Sequence, residues 1–536
     1  MKGKKVLGLG LAALSGLSLA SCGGSSELTI FLSQENIKYD ENMAVYQNAN
    51  SYAGVELDGI IAKYATDIDQ FYNTEGKYAN LVVNDQDTIE ATALDESLFV
   101  DLTSLINEHA PNLKKYFDEN PTQKKWATAS DGKIYGVPFY TAGETAKAWF
   151  VRKDWIAALG AANKFTGKFA SLADLYKNGE VQIERLNAMD FTIEKYKLLL
   201  TAFKDFKTVV NPDLAAKDKI YPYFDRDSDF AISELAGLWG ATAEYYLGAN
   251  KEVKFGAIQP EFRAAMLEIQ AWYKEGLIDA EILNNTTKED KRENFFLGNV
   301  AGSTHDWLGT TYSFNEDFYV NAMPFENFEL ICILPPSHTV NGQYVKYEST
   351  ARKLIGKVTA IGAETSAEDQ VKLIKWIDYF FTEKGNNELN YGIEGVHWNN
   401  QNGVKTYTDK ILNGNATALG NLYSVGAQMQ TAGVQNFEYE KAWLSEEAAE
   451  AMDMYTPYLN KIYDYNALIF PNIKLSNEDY KKVNTARNMV LNVYEKQIND
   501  WLKGDQINDT TWAKFVDNMN KAGVPTIVET IQKYVK

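Results

Sequence analysis

Cysteine and histidine are scarce in this chain, which has two cysteines and four histidines among 536 residues. Cys22 lies close to the amino terminus, and Cys332 has no partner for a disulfide. We expect Cys332, within the apolar run 330–334, to be a buried core residue of a strand. So few sulfur and imidazole ligands cannot build a Cys/His zinc cluster. The sequence predicts neither a metal centre nor a cofactor, and it argues against a cysteine nucleophile.

Sequence motifs of common enzyme classes, internal repeats and membrane-spanning segments are also missing. The chain has no Gly-x-Ser-x-Gly elbow, no His-Glu-x-x-His helix and no phosphate-binding loop. No repeat with a period of about 20 to 50 residues occurs, which argues against solenoids and propellers. Beyond the amino terminus, no segment is apolar enough to cross about 30 Å of hydrocarbon. We therefore expect one soluble body outside the cytoplasm after the amino-terminal segment described below.

Positive charge is in short supply, because 53 Lys and Arg stand against 72 Asp and Glu, for a formal charge of −19. Binding to nucleic acid depends on Lys and Arg that neutralise phosphates, so this balance argues against a nucleic-acid partner. It also mildly disfavours polyanionic ligands, although a local basic cleft could override the overall sign. The 45% hydrophobic and 13% aromatic content is that of a globular protein.

The amino terminus has the layout of a lipoprotein signal. Lys2, Lys4 and Lys5 precede an apolar stretch over 6–19, and Leu-Ala-Ser-Cys follows at 19–22. The stretch is too short and too interrupted by Gly and Ser to span a membrane. We expect residues 1–21 to be removed, Cys22 to carry lipid and 22–26 to form a tether. The mature chain, with a formal charge of −22 after loss of those three lysines, would then lie on the extracellular face of a cell membrane or on its periplasmic side.

Along the rest of the chain, segments with strand and helix patterns alternate. Residues 28–32 read as a first strand, and 78–83 as another that ends in the polar loop 84–87. Apolar residues at helical spacing mark amphipathic helices around 196–206 and 262–273. The alternation predicts α/β lobes with largely parallel sheets, which bind ligands beyond the carboxyl ends of their strands. The length suggests two large lobes or three domains.

Five segments, taken in order, carry a family resemblance. They are 101–113, the Asp-Gly-Lys-Ile-Tyr turn at 131–135, 273–279, the Tyr-Gly-Ile-Glu-Gly-Val-His-Trp stretch within 390–398, and 512–516. In this order and spacing, the chain resembles carbohydrate ABC-transporter solute-binding lipoproteins of the larger oligosaccharide-binding group of Firmicutes, distantly similar to maltose-binding proteins. The resemblance implies an α/β, two-lobed periplasmic-binding-protein-like fold of type II, with a ligand cleft between the lobes.

The resemblance also implies lobe boundaries and a function. By analogy with maltose-binding proteins, one lobe would comprise 27–145 and 355–440, and the other 146–354 and 441–536. The expected function is capture of a carbohydrate, in particular an oligosaccharide, by hinge closure, and delivery to the permease subunits of an ABC importer. We expect a monomer without enzymatic activity. An oligopeptide-binding lipoprotein is the alternative, followed by a surface glycan-binding protein or a glycoside hydrolase, which needs two carboxyl groups about 5 to 9.5 Å apart.

Sugar sites combine flat aromatic rings with carboxylates or amides that bind hydroxyls. Trp307 is the best stacking candidate, because it is expected in a small-residue loop after a strand at 295–301, with Asp306 beside it. For Asp306, capping of the next segment is an equally good interpretation, and for Trp239 helix packing is slightly favoured. The remaining candidates, for which turn stabilisation or packing is the alternative, are Asp85, Gln86, Tyr140, Glu144, Glu394 and Trp398.

The alginate-binding branch of this family includes members that hold calcium in an EF-hand-like loop. The matching stretch here, 211–220, has Ala215 and Lys219 where Ca²⁺ needs oxygen ligands. The nearby run 225–229 offers alternate carboxylates, but Phe230 stands where a glycine usually permits the sharp turn. We expect a solvated acidic loop, and calcium near Asp225 stays open.

Overall fold

The structure is a computed structural model, and it describes residues 28–33, 40, 42–62, 78–141, 147–214, 219–226, 231–248, 250–283, 288–348, 355–436, 438–458 and 473–535. Within these residues the chain has the expected mixed α/β composition. No helix in the described ranges is both long enough and apolar enough to cross a membrane. The expected signal and Cys22 lie outside the described residues and stay predictions.

The described strands, in chain order, are β1 Leu28–Ser33, β2 Leu57–Ala62, β3 Leu81–Asn84, β4 Val137–Thr141, β5 Lys147–Arg152, β6 Tyr176–Lys177, β7 Glu180–Val181, β8 Tyr245–Leu247, β9 Val253–Phe255, β10 Ser303–Trp307, β11 Leu330–Ile333, β12 His338–Val340, β13 Gln343–Val345, β14 Ile355–Ile361, β15 Trp398–Gln401, β16 Val404–Tyr407 and β17 Gly433–Gln435.

The described α-helices are α1 Ala44–Ala53, α2 Gln86–Glu96, α3 Thr103–His109, α4 Pro111–Glu119, α5 Pro121–Ala127, α6 Lys153–Ala161, α7 Ile183–Asn187, α8 Ile193–Asp205, α9 Lys207–Val210, α10 Ala231–Ala236, α11 Pro260–Lys274, α12 Lys288–Leu297, α13 Leu308–Tyr312, α14 Asp317–Val320, α15 Ala367–Tyr379, α16 Glu383–Tyr391, α17 Asp409–Leu412, α18 Ala418–Ser424, α19 Glu438–Lys441, α20 Glu446–Tyr455, α21 Asn477–Lys503, α22 Asp509–Ala522 and α23 Val524–Gln532. Five 3₁₀ turns join them: Gly167–Leu175, Gly237–Trp239, Gly256–Ile258, Ser313–Asn315 and Thr456–Tyr458.

The first lobe is built on a six-stranded sheet with the order β17-β4-β14-β3-β1-β2. β14 pairs antiparallel with both β3 and β4, so it is the one strand of this sheet that opposes the rest. Apolar side chains fill both faces: Leu81 and Val83 of β3 join one core, and Val82 joins the core behind the sheet. Burial on both faces is typical of parallel strands covered by helices.

The second lobe is organised around a smaller antiparallel sheet, β10-β5-β11. Its central strand β5 is buried at all six positions, with Trp149 and Val151 in the larger core and Ala148 and Phe150 in the other. Parallel bridges between Phe224 and Thr304 and between Tyr223 and Ile278 extend this sheet beyond β10. The carboxy-terminal helices α21, α22 and α23 complete the larger core.

Side chains protect the outer edge of β11. Asn315 accepts from the Leu330 N–H at 2.9 Å and donates to the Leu330 carbonyl at 2.7 Å. The Asn187 side chain accepts from the Leu334 N–H at 2.8 Å, and the Tyr312 hydroxyl accepts from the Cys332 N–H at 3.4 Å. These groups take the place of a further strand, so the edge is closed to pairing with another chain.

Several expectations about local structure can be checked here. Cys332 is a buried free cysteine on β11, as expected, and burial raises the pKa of its thiol. The strand expected at 295–301 is wrong, because residues up to Leu297 belong to α12 and the strand is β10. Trp307 therefore ends a strand rather than lying in a loop after one. The sequence does not predict β10 as a strand because its residues are mostly polar, and it is pairing with β5 that makes this segment a strand.

Candidate functional site

The connections between the lobes identify which sheet edges face each other. The chain leaves the first lobe after β4 and enters the second at β5, returns before β14, and leaves again after β17. The carboxyl ends of β4 and β17 and the start of β14 therefore share one edge of the first lobe's sheet, and the other parallel strands end there too. In open α/β sheets, ligands bind beyond this edge.

On the second lobe, the facing edge carries a group of charged side chains around Trp307. β5 begins at this edge with Lys147, and antiparallel pairing places Lys147 opposite Trp307 at the end of β10. The bridge between Phe224 and Thr304 is parallel, so Asp225 and Arg226 emerge at the same edge. We call Lys147, Asp225, Arg226, Glu234, Arg292, His305, Asp306 and Glu348 the edge cluster.

Asp306 is the centre of one half of the edge cluster. Arg226 Nε lies 2.9 Å from Oδ1 and 2.8 Å from Oδ2 of Asp306, and Arg292 Nη1 lies 3.1 Å from Oδ2. The Trp307 N–H donates to Oδ1 at 2.7 Å. Burial alone would raise the pKa of Asp306, but Arg226 and Arg292 outweigh it and lower that pKa to about 2. Asp306 is thus an ionised anchor for two arginines, and its predicted contact with a sugar hydroxyl stays a prediction.

Trp307 is only half-buried, unlike the other residues of β10. The Lys147 ammonium lies 5.5 Å from the centroid of the indole, a cation–π contact that fixes the orientation of the ring. Part of the indole surface is therefore presented at the edge of the second lobe, beside charged groups that are held in place.

His305 is the centre of the other half of the edge cluster. Its Nδ1 lies 3.1 Å from Glu234 Oε2, and its Nε2 lies 3.1 Å from Glu348 Oε2. Burial would lower the pKa of His305, but Glu348 and Glu234 outweigh it and raise that pKa to about 10. Glu234 also accepts from Lys147 Nζ at 2.6 Å. The imidazolium thus connects the two carboxylates, one of which belongs to the segment that returns to the first lobe.

Asp225, Glu234 and His305 have ligand atoms within 4.8 Å of one another, a spacing that could hold a metal ion. The hydrogen bonds argue for a different state. Both ring nitrogens of His305 face carboxylates, which suits a doubly protonated ring, whereas a metal-binding histidine is neutral. Lys147 already supplies a positive charge to Glu234. The two stretches considered for calcium, for which a solvated acidic loop was expected, extend into 215–218 and 227–230, which lie outside the described residues.

On the first lobe, the candidates at the end of β3 have different surroundings. Asp85 is exposed at the amino-terminal cap of α2 without a capping hydrogen bond from its side chain. Gln86 is buried, and its amide donates to Glu90 Oε1 at 2.6 Å and to the Trp126 carbonyl at 2.8 Å. The helix begins where the sequence suggested a polar loop. Tyr140 is buried on β4 and donates to the Gln123 carbonyl at 3.0 Å. Glu144 lies outside the described residues.

A lysine from the carboxy-terminal region of the second lobe joins this group. Lys474 Nζ lies 2.9 Å from Glu90 Oε1, 2.6 Å from the Trp126 carbonyl and 2.6 Å from the Thr128 carbonyl. Farther along α2, Lys481 forms an ion pair with Asp95. Asp87 of α2 is exposed, but loss of solvation among the surrounding groups and then the neighbouring Glu90 raise its pKa to about 6, and Tyr480 is its hydrogen-bond partner. We call the contact of Lys474 with its three acceptors the clasp.

Amide side chains that sequence reasoning missed lie beside β17, where the third connection between the lobes begins. Gln428 and Gln430 have positive φ angles of 60° and 47°, which are uncommon for residues other than glycine. Gln435, at the end of β17, donates to Gln428 Oε1 at 2.8 Å. Asn390 accepts from the Asn436 N–H at 2.6 Å. Strained backbone of this kind concentrates at binding sites, but a single sequence shows no sign of it.

The contacts of the remaining candidates are with residues outside the edge cluster. Trp239 ends a 3₁₀ turn and packs edge-on against Trp272, with 5.4 Å between ring centroids. Trp398 is buried and donates its indole N–H to the Gly392 carbonyl at 2.8 Å, within a small core of the first lobe. Glu394 is exposed in the turn before Trp398. The structure therefore brings Asp306 and Trp307 together, and Asp85 and Gln86 together. The ligand-binding roles of all these residues stay predictions.

Comparison with known proteins bears on this two-lobed arrangement. No family model matches the chain. The chain is 21% identical over 531 residues to a fructooligosaccharide ABC transporter substrate-binding protein, FusA, of Streptococcus pneumoniae serotype 4, covering 91% of this chain and 86% of that protein. The expected likeness to carbohydrate ABC-transporter solute-binding proteins is confirmed. These relatives are binding proteins rather than enzymes.

Solved structures agree in fold. The alginate-binding protein AlgQ2, in a form without calcium ion, superposes with a TM-score of 0.74 at 25% identity, covering 96% of this chain and 99% of that one. FusA in complex with kestose superposes with a TM-score of 0.70 at 18% identity, covering 95% and 99%. A solute-binding protein of Bifidobacterium longum infantis that binds human milk oligosaccharides (HMO) superposes with a TM-score of 0.66 at 16% identity. The match covers 95% of this chain and 99% of that one. The expected two-lobed α/β fold is thus confirmed.

Proposed function

We propose that this protein is an extracytoplasmic solute-binding protein that captures an oligosaccharide between its two lobes and delivers it to an ABC importer. The observation that carries the proposal is the half-buried Trp307 at the end of β10, on the edge that faces the first lobe. A sugar ring presents C–H groups on its faces and hydroxyls around its rim. An indole can cover the face while carboxylates, amides and guanidinium groups nearby bind the hydroxyls.

The relatives support the ligand class. They include proteins described as binding fructooligosaccharide, alginate and human milk oligosaccharide. All three ligands are carbohydrates, and the chain matches these proteins over more than nine-tenths of its length. The size and sugar composition of the ligand of this chain would be set by side-chain geometry in its own cleft, since relatives of this fold bind chemically different glycans.

The oligopeptide alternative is less favoured by the edge cluster. A peptide needs charged anchors for its ammonium and carboxylate ends. In the edge cluster, Lys147 is already bound to Glu234, and Arg226 and Arg292 are bound to Asp306. A terminal carboxylate of a peptide would have to displace one of these buried partners, which is costly. Sugar hydroxyls can bind beside such pairs without separating them.

The proposal is tested by thermal-shift screening of the purified protein against neutral and acidic oligosaccharides and short peptides, followed by calorimetric titration of any compound that raises Tm. A ligand of the folded state at 100 times its Kd adds about 2.7 kcal/mol to the free energy of unfolding. Binding of an oligosaccharide with a fall in the radius of gyration would support capture by hinge closure. Binding of peptides alone would overturn the carbohydrate assignment.

The proposed location rests on the amino-terminal sequence and on the transport function of the relative. Acyl chains contribute about 0.8 kcal/mol per buried CH₂, so two chains on Cys22 would hold the protein to the membrane. We expect Cys22→Ala to leave oligosaccharide binding unchanged while moving the protein from the membrane fraction to the soluble fraction. Retention of the variant on membranes after a high-salt wash would contradict an anchor made of lipid alone.

A further inference from the structure

Resting on the proposed function, we infer that the cleft selects an uncharged oligosaccharide and discriminates against glycans that carry carboxylates, such as uronic-acid oligomers. The inference comes from the pairing of charges on the two facing edges. AlgQ2, one of the structures of similar fold, is described as alginate-binding, so the shared fold alone does not decide between the two classes of sugar.

The first step of the argument is the charge balance of the second lobe's edge. Lys147, Arg226, Arg292 and protonated His305 stand against Asp225, Glu234, Asp306 and Glu348, so the edge cluster is neutral. The parallel bridge to Ile278 places one more pair at this edge, in which Lys291 Nζ lies 2.6 Å from Asp279 Oδ2. No surplus positive charge remains among these ten side chains to bind a uronate.

The second step is that the cations are held by buried partners. The side chains of Lys147, Arg292 and Asp306 are respectively 4%, 7% and 2% exposed. To bind a ligand carboxylate directly, Arg226 or Arg292 would have to leave Asp306, or share it with a second negative charge at close range. Either change leaves a buried charge under-compensated, which a neutral hydroxyl does not require.

The third step concerns the first lobe. Its edge presents Asp85, Asp87 and Glu90, and the cation described against them is Lys474, which Glu90 and two carbonyls already bind. Asp87 is exposed on α2, and after loss of solvation Glu90 beside it contributes to its raised pKa, which is consistent with an excess of negative charge there. Among the described residues, a uronate entering between the lobes would thus meet a neutral group of side chains on one side and an acidic group on the other.

The test is calorimetric titration of the purified protein with neutral trisaccharides, including kestose, maltotriose and xylotriose, and with trigalacturonate and trimannuronate. Titrations are run at low and at high salt. We expect the best neutral trisaccharide to bind at least about tenfold more tightly than either uronate, because like charges oppose uronate entry. Added salt should reduce the difference in affinity between the neutral and uronate trisaccharides, since it screens this repulsion.

Uronates that bind more tightly than every neutral trisaccharide, with an affinity that falls as salt rises, would overturn the inference and leave the proposed function intact. Absence of binding by both classes, including longer oligomers of each, would overturn the proposed function and this inference with it. The two failures are therefore distinguishable.

Charge variants provide a second measurement. Asp85→Asn removes an exposed negative charge, and we expect the ratio of uronate to neutral affinity to rise about threefold at low salt. Asp306→Asn should raise that ratio more, by about tenfold, since both arginines lose their anionic partner. Asp154→Asn is the matched control, because Asp154 pairs with Arg152 at the opposite end of β5 and should leave the ratio unchanged. The same ratio of uronate to neutral affinity in the wild type and in all three variants would contradict the inference.

Discussion

The facing edges of the two lobes differ in how their clustered charges are neutralised. The edge cluster of the second lobe pairs its charges internally, through Asp306 with Arg226 and Arg292 and through His305 with two glutamates. The described part of the first lobe's edge, at the start of α2, is acidic, and Lys474 of the other lobe neutralises part of it. Internal pairing makes a rigid surface that does not depend on lobe position. A charge supplied by the opposite lobe ties the electrostatics of the first edge to the distance between the lobes.

Breaking the internal pairing of the second lobe should have the largest effect. We expect Asp306→Ala to lower the free energy of unfolding by about 3 to 5 kcal/mol, because two buried arginines lose their partner. Urea denaturation measures the change. Asp118→Ala is the control, since its pair with Lys114 lies on the surface and should contribute little to stability. A stable Asp306→Ala protein would show that the arginines find other partners.

The next prediction separates binding from packing on the same edge. Because Trp307 is only half-buried, we expect Trp307→Ala to weaken oligosaccharide binding by about 2 kcal/mol, close to thirtyfold, with a smaller loss of stability. Calorimetric titration and urea denaturation of one preparation measure both quantities. Trp398→Ala is the contrasting variant, because a buried tryptophan leaves a cavity and should cost about 3 to 5 kcal/mol in stability. Unchanged sugar affinity in Trp307→Ala would contradict the stacking role.

The pH dependence of stability tests the imidazolium of the edge cluster. The pKa of His305 is about 10 in the folded protein, above the ordinary value of 6.5 that applies when the chain is unfolded. A group with a raised folded pKa contributes stability that is complete below 6.5 and is lost as pH rises through 10. The stability difference between wild type and His305→Gln should therefore shrink as pH rises from 6 to 10.5. A difference that does not vary with pH would mean that His305 is neutral.

The smallest effect should come from the clasp, which is partly exposed. We expect Lys474→Met to weaken oligosaccharide binding by about 1 kcal/mol, or roughly fivefold, if the clasp forms as the lobes close. Small-angle scattering should also show a larger radius of gyration in the variant. Lys496→Met is the control, because Lys496 pairs with Asp500 on the surface of α21 alone. Identical affinity and scattering in wild type and Lys474→Met would mean that the clasp does not respond to closure.

Secondary structure was predicted correctly from the sequence where apolar residues form a regular pattern. Helix α8 and helix α11 were expected from the spacing of their apolar residues, and the first strand from its continuous apolar run. β10 was missed because Ser-Thr-His-Asp-Trp has no strand pattern, and its four polar side chains are buried only through contacts with distant segments. Residues 84–87 were expected as a loop, and α2 begins within them because Gln86 finds partners at Glu90 and Trp126.

For the candidate site, sequence alone pointed to Asp306 and Trp307 but not to Lys147, Arg226, Arg292 or His305. These four come from separate stretches of the chain, and no spacing rule relates them. The clasp could not be predicted from the sequence either, because Lys474 lies more than 380 residues from Glu90. Pairs so distant leave no local pattern, and only a fold that places both edges face to face creates them.

By itself, the sequence determined the class of the protein: composition, apolar periodicity and a few ordered motifs are properties of short stretches, and they were enough for a two-lobed α/β solute-binding fold and an acidic surface. Tertiary structure decided the state of each charge. Whether Asp306 is free to bind a hydroxyl or is held by two arginines, and whether His305 is an imidazolium or a metal ligand, depends on which groups lie within about 3 Å in a buried setting, where electrostatic interactions are strong.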